Sequence, residues 1–149
     1  MLHERALLII INVISAIATT IAFFTVLKKR ENAGNTAIYL AMVLAATTIY
    51  AMAYAMELAS DTLQGILFWV KIEHIGIEII APFWLLFTLT ITGKTKYITP
   101  MRTVSLLVIP VIVLFATFLG EYHLNPQLTA NAPFPTLTYQ RGFFAWLGI

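Results

Sequence analysis

The stretch of sequence that decides the fold is GILFWVKIEHIGIEIIAPFWLLFTLTITG, residues 65–93. It is apolar and long enough to cross a membrane, yet it contains Lys71, Glu73, His74 and Glu78. Ionisable residues are costly in hydrocarbon, so within membrane helices they usually face the interior of a bundle or a wet cavity. The sequence therefore predicts a spanning helix whose polar residues face its neighbours.

Helical spacing divides these polar residues between two sides. At about 100° per residue, Lys71, His74 and Glu78 lie within about 60° of one another, while Glu73 lies close to the opposite side. Pro82 follows Glu78 by four residues and has no N–H to donate to the Glu78 carbonyl, so we expect a kink there. A polar face, an unmatched carbonyl and a kink together indicate a place where a signal or an ion could act.

The composition is that of a membrane protein. The chain has 149 residues, of which 60% are hydrophobic and 11% charged, and its mean hydropathy is +0.86. Soluble domains carry about 25% charged residues. The net charge is only +2 and the basic residues cluster at segment ends, so no basic face is available for nucleic acid. The absence of cysteine excludes disulfides, thiolate metal sites and thiol nucleophiles.

The hydropathy pattern predicts an all-α, polytopic membrane helical bundle. We expect four transmembrane helices, an extended outer loop and the start of a fifth helix. The spans are about 6–27, 37–58, 62–92 and 103–119, the loop is 120–142, and the fifth span starts at 143–149. Because the chain ends inside an apolar run, we expect it to be part of a longer protein, with residues 1–149 forming a partial transmembrane sensor domain.

The connections carry local signals of their own. Asn32, Gly34 and Asn35 are typical of a short turn between the first two spans. Asp61, followed three residues later by Gln64, resembles a capping pair for the third helix. In the outer loop, the TLTY segment at 136–139 alternates like a short strand.

The second span ends in a row of polar side chains, since Tyr50, Tyr54 and Glu57 follow one another at i, i+4 and i+7. This row can be part of a site, or the tyrosines can be interfacial anchors with a solvated Glu57 at the helix end. The sequence leaves both interpretations open.

The distribution of basic residues predicts the topology. The connections after spans one and three contain most of them: Lys28, Lys29, Arg30, Lys94, Lys96 and Arg102. The positive-inside rule places these connections in the cytoplasm, and it places the N-terminus and residues 120–142 outside the cell membrane.

No phosphate-binding loop, nucleophile elbow, zinc-protease motif or kinase motif is present, so we expect no catalysis and no cofactor in this chain. His74 and Glu78 could chelate a metal at i, i+4, but Lys71 on the same face would repel a cation, and we therefore expect no metal site. We hypothesise a hydrogen-bonded His74–Glu78 pair that Lys71 neutralises, open to a small ligand or a proton. The full set of candidate ligand-binding residues is Glu78, His74, Lys71, Glu57, Tyr54 and Glu73. A purely structural network that fixes helix register fits the same residues.

Two segments carry a family resemblance. Residues 50–94, YAMAYAMELASDTLQGILFWVKIEHIGIEIIAPFWLLFTLTITGK, combine a Glu that ends span two, a Trp-x-Lys-x-Glu run, a Gly, a Pro and a closing Thr-Gly-Lys. Residues 131–148, NAPFPTLTYQRGFFAWLG, continue in the same order. This pattern resembles the N-terminal seven-helix membrane region that precedes some histidine kinases and diguanylate cyclases.

The resemblance implies a sensory input module that is not itself an enzyme. The seventh helix of such a module leads into cytoplasmic PAS, kinase or cyclase domains, and receptors of this kind are expected to work as homodimers in the lipid bilayer. The alternative is a fragment of a transporter or ion-translocating protein that uses the charged third helix.

Overall fold

The computed structural model describes residues 2–119, 123–129 and 136–141, and these form four long helices and one short hairpin. The helices are α1 (Leu2–Lys28), α2 (Arg30–Ala59), α3 (Leu63–Ile91) and α4 (Pro100–Leu119). Each is long and apolar enough to cross a membrane. The predicted all-α membrane bundle is therefore confirmed, while the predicted start of a fifth span at 143–149 lies outside the described residues.

The first two helices pack through small and weakly polar side chains. Ala16 is buried, and the hydroxyls of Thr19 and Thr48 meet across the interface at 2.8 Å. Small residues allow two helices to approach closely in lipid, and a hydroxyl pair adds a hydrogen bond where no water competes. The turn expected before span two is visible as a break at Gly34, whose φ of 54° and ψ of −137° interrupt the helical path.

The packing of α2 against α3 positions the candidate site. Ala46 and Ala53 lie on one side of α2, and each is only 1% exposed. Gly76 of α3 lies against this surface: a Cβ built on it would be 2.6 Å from the Ala46 carbonyl oxygen and 2.9 Å from Tyr50 Cβ. The two backbones are therefore as close as the absence of a side chain at residue 76 permits.

The start of α3 differs from the prediction. Thr62, rather than Asp61, is the N-cap, and its hydroxyl accepts a hydrogen bond of 3.1 Å from the Gly65 N–H. The Asp61 carboxylate instead forms an ion pair of 2.7 Å with Arg5 of α1. Both residue types can cap a helix, but here the carboxylate of Asp61 is paired with another helix and Thr62 provides the cap.

The far end of α3 closes as a Schellman motif. Gly93 has a positive φ of 71°, and the N–H groups of Gly93 and Lys94 donate to the carbonyls of Thr90 and Leu89. A single 3₁₀ turn, Thr95–Tyr97, then leads into α4. Both membrane prolines, Pro82 and Pro110, lie inside continuous helices.

The described part of the segment after α4 is a two-stranded antiparallel hairpin of β1 (His123–Thr129) and β2 (Thr136–Arg141). The TLTY prediction is confirmed by β2, whereas β1 was not predicted because Asn125–Pro126 reads as a loop signal. The pairing is irregular between Leu124 and Gln127, on either side of Pro126. A proline cannot donate to a strand ladder, and the irregularity accommodates it.

Candidate functional site

The third helix lies between α2 and α4 and turns a different polar face to each. Gly76 marks the side that contacts α2. Lys71 marks the other side, because its ammonium group donates a 3.2 Å hydrogen bond to the Phe118 carbonyl near the end of α4. At about 100° per residue, His74 and Glu78 lie on the Lys71 side and about 160° from Gly76. Glu73 was expected opposite to His74 and Glu78. It therefore lies on the side of α3 that faces α2.

On the α2 side, Glu73 meets Glu57. The two half-buried carboxyl groups lie close enough to interact across the helix interface. A hydrogen bond between two carboxyl groups requires one of them to carry a proton. A hydrogen bond formed between Glu57 and Glu73 would therefore keep one proton inside the bundle.

Two tyrosines of α2 extend this side of the site. The rings of Tyr50 and Tyr54 stack with their centroids 6.2 Å apart and an interplanar angle of 12°. Both phenols are close enough to interact electrostatically with Glu57 and Glu73. Tyr50 also contacts Gly76, so the close approach of the two helices sets the position of the cluster.

On the α4 side, His74 and Glu78 are buried, each with only 9% of its surface exposed. They lie in the middle of a buried row at i, i+4 spacing along α3. The members of this row are Ile66, Val70, His74, Glu78, Pro82 and Leu86. Most of the row is apolar, so the two polar members are enclosed by packing residues above and below them.

The predicted hydrogen bond between His74 and Glu78 is not formed, and His74 bonds to the backbone of its own helix. The His74 Nδ1–H donates to the Val70 carbonyl one turn earlier, at 2.8 Å. The Glu78 carboxyl, by contrast, makes no hydrogen bond or ion pair with any residue in the part of the chain that the structure describes. A buried carboxyl group that lacks a partner is costly, and a ligand or water that supplied hydrogen bonds would stabilise it.

The structure divides the predicted site into two parts. The sequence interpretation grouped Glu57 and Tyr54 with His74 and Glu78. In the structure, Glu57 and Tyr54 lie close to Glu73 instead, on the other face of α3. The reason is the Gly76 contact, which turns Glu73 toward α2 and His74 and Glu78 away from it.

Lys71 also has a different partner from the one expected. Lys71 and Glu78 are separated by about 10 Å along the helix axis. The ammonium group binds the Phe118 carbonyl instead of neutralising Glu78. A cation near the last carbonyls of a helix is stabilised by the helix dipole. Lys71 therefore links α3 to the end of α4.

Arg5 is a tertiary link that the sequence interpretation missed. Its guanidinium donates to the carbonyls of Leu58 and Ser60 and pairs with Asp61, so α1 is held to the turn between α2 and α3. The signal in the sequence was a single arginine near the start of an apolar span, in a chain whose few acidic residues include Asp61 in a short turn.

In the part of the chain that the structure describes, no group of three or more His, Asp or Glu residues is arranged to hold a metal ion.

Comparison with known families gives a match that covers nearly the whole chain. The family model for the N-terminal 7TM region of histidine kinase matches residues 8–149. The chain belongs to this family. The 7TM region is a membrane sensor part of histidine kinases and is not their catalytic domain. No curated protein and no solved structure matched the chain. Within the described part of this chain, α3 carries the buried residues His74 and Glu78.

Proposed function

We propose that this chain is the sensory input module of a histidine kinase or a related receptor, and that it passes an outer or intramembrane signal to a cytoplasmic output domain. The observation that carries the proposal is the family match over residues 8–149. The four apolar helices and their buried ionisable residues are consistent with this role, because such residues in a membrane bundle commonly mark functional sites.

The proposed site of signal reception is the polar surface of α3. The ligand-binding residues proposed here are Glu78, His74, Lys71, Glu57, Tyr54 and Glu73. Glu78 is the first candidate to accept a proton or a small hydrogen-bonding ligand, because it is buried without a partner among the described residues. A ligand that satisfies this carboxyl group would bind one arrangement of α3 and α4 better than another, and it would shift the equilibrium by that difference in affinity.

A conformational change at this site would be transmitted to the neighbouring helices through the contacts of α3. Lys71 connects the helix to α4 at Phe118, and the Gly76 contact connects it to α2. Between Glu78 and Pro82 the helix lacks one backbone hydrogen bond, so the segment beyond Pro82 can change its angle at lower cost than an unbroken helix.

The proposed orientation has the N-terminus and residues 120–142 outside the cytoplasm. Its support is the positive-inside distribution, with Lys28–Arg30 at the junction of α1 and α2 and with Lys94 and Lys96 following α3. We also propose that the complete receptor works as a homodimer. Ala18, which is exposed on α1 of the described chain, offers a small-residue surface for that contact.

The test is to read the coding sequence beyond codon 149. The proposal expects further spans followed by a kinase, PAS or cyclase domain. A repeat of the present helices with no soluble domain would contradict it and would favour a transporter. Mass measurement of the complete membrane region in nanodiscs tests the dimer, and monomers alone would overturn that part.

A further inference from the structure

A second candidate site lies at the opposite end of α3 from the Asp61 turn, between α3 and α4. It is a cavity of about 270 Å³. Its walls are leucine side chains of the two helices, and its mouth is formed by a tyrosine and an arginine. The lining residues that matter are Leu85, Leu86, Leu89, Leu106, Tyr97 and Arg102.

The mouth of the cavity is strongly basic. The Tyr97 ring is flanked by two cations, with Lys96 Nζ 5.2 Å and Arg102 Cζ 5.7 Å from its centroid. Lys94 adds a third positive charge to the same connection. No acidic residue occurs between Glu78 and Glu121, so nothing in this segment neutralises these cations.

The apolar and basic parts of the cavity are arranged like the acyl chains and the headgroup of a phospholipid in a bilayer. The leucines belong to the membrane helices, whereas Tyr97 and the cations lie where the chain leaves the bilayer. Tyrosine, lysine and arginine at this depth commonly interact with headgroups. Basic pockets between transmembrane helices bind the headgroups of anionic lipids.

We infer that this cavity is a binding site for an anionic phospholipid, with an acyl chain among the leucines and the phosphate headgroup held by Arg102 and Lys96. The inference is independent of the signal sensed at Glu78. Occupancy would brace the cavity-lining part of α3 against α4, on the far side of Pro82 from the buried carboxyl group.

Native mass spectrometry of the intact chain tests the site. Dioleoylphosphatidylglycerol and dioleoylphosphatidylcholine would be added separately at equal concentrations. We expect more phosphatidylglycerol to bind, and each cation removed in Lys96→Gln and Arg102→Gln to lower its affinity about fivefold. Binding of phosphatidylcholine should stay unchanged in these variants, which also shows that they are folded.

The matched control is the double variant Lys28→Gln/Lys29→Gln, which removes two exposed cations at the end of α1 that do not line the cavity. It should bind phosphatidylglycerol like the wild type. An equal loss in this control would show that only diffuse charge attracts the lipid, and equal wild-type binding of the two lipids would also overturn the inference.

Two further binding measurements distinguish a lipid ligand from a soluble anion. Dihexanoylphosphatidylglycerol should bind more weakly than the dioleoyl lipid, since its short chains fill less of the leucine cavity. Inorganic phosphate in large excess should not displace the dioleoyl lipid. Displacement by phosphate, or equal binding of the two chain lengths, would assign the basic mouth to a soluble anion and reject the lipid site.

Discussion

Gly76 of α3 lies so close to Ala46 of α2 that a single added carbon would stand 2.6 Å from the Ala46 carbonyl oxygen. Backbone atoms cannot move aside as a flexible side chain can. The separation of α2 and α3 is therefore set at this point, and so is the direction in which Glu73 and His74 face.

Substitution of Gly76 by Ala should push the two helices apart. We expect a loss of about 1–3 kcal/mol in the free energy of unfolding, which is the usual cost of overpacking a tight contact. Thermal unfolding in detergent would measure it. The control is Ala81→Val, which adds volume at an exposed position of the same helix. A Gly76→Ala protein as stable as the control would contradict the close contact.

The carboxyl pair gives a second prediction. The amide in Glu73→Gln can donate a hydrogen bond to Glu57, so this substitution should leave stability nearly unchanged. Glu73→Ala leaves the half-buried Glu57 without this partner and should cost about 1–3 kcal/mol. Infrared spectroscopy should show a protonated carboxyl band in the wild type that is lost in Glu73→Gln. An unchanged band would exclude a shared proton between the two groups.

Substitution of Arg5 should lower the free energy of unfolding more than substitution of its acidic partner, Asp61. Asp61 is 72% exposed, so Asp61→Asn should cost at most about 1 kcal/mol. Arg5→Gln also removes bonds to the Leu58 and Ser60 carbonyls and should cost more. Equal effects of the two substitutions on the unfolding temperature would mean that the carbonyl bonds contribute nothing.

The orientation can be tested directly because the chain contains no cysteine. Single cysteines at Asn32, Thr95 and Asn131 would be treated with a membrane-impermeant thiol reagent on intact cells. We expect labelling at position 131 only. Labelling at position 95 but not at 131 would invert the topology.

The sequence was sufficient to predict the helices and the two faces of α3, because hydropathy and helical periodicity are local properties. It did not reveal the partners of those faces. Lys71 pairs with Phe118, 47 residues away, and Arg5 reaches Asp61 through the packing of α1 on the bundle. Such contacts depend on helix crossing and register, which the spacing of residues within one helix does not contain. Gly76 was recognised as part of the family pattern, but its role in turning Glu73 toward α2 required the packed structure.

The most direct test of the sensory role is the autophosphorylation of the complete receptor in proteoliposomes. Glu78→Gln keeps the size and hydrogen bonding of the side chain and removes its charge, and His74→Ala removes the neighbouring ring. Glu31→Gln and His3→Ala alter exposed residues of the same types and serve as controls. We expect each site variant to change basal activity or signal threshold about fivefold or more, because fivefold is the lower end of the usual range of coupling between two sites. The controls should behave like the wild type. Unaltered threshold and amplitude in both site variants would show that the buried pair is structural only.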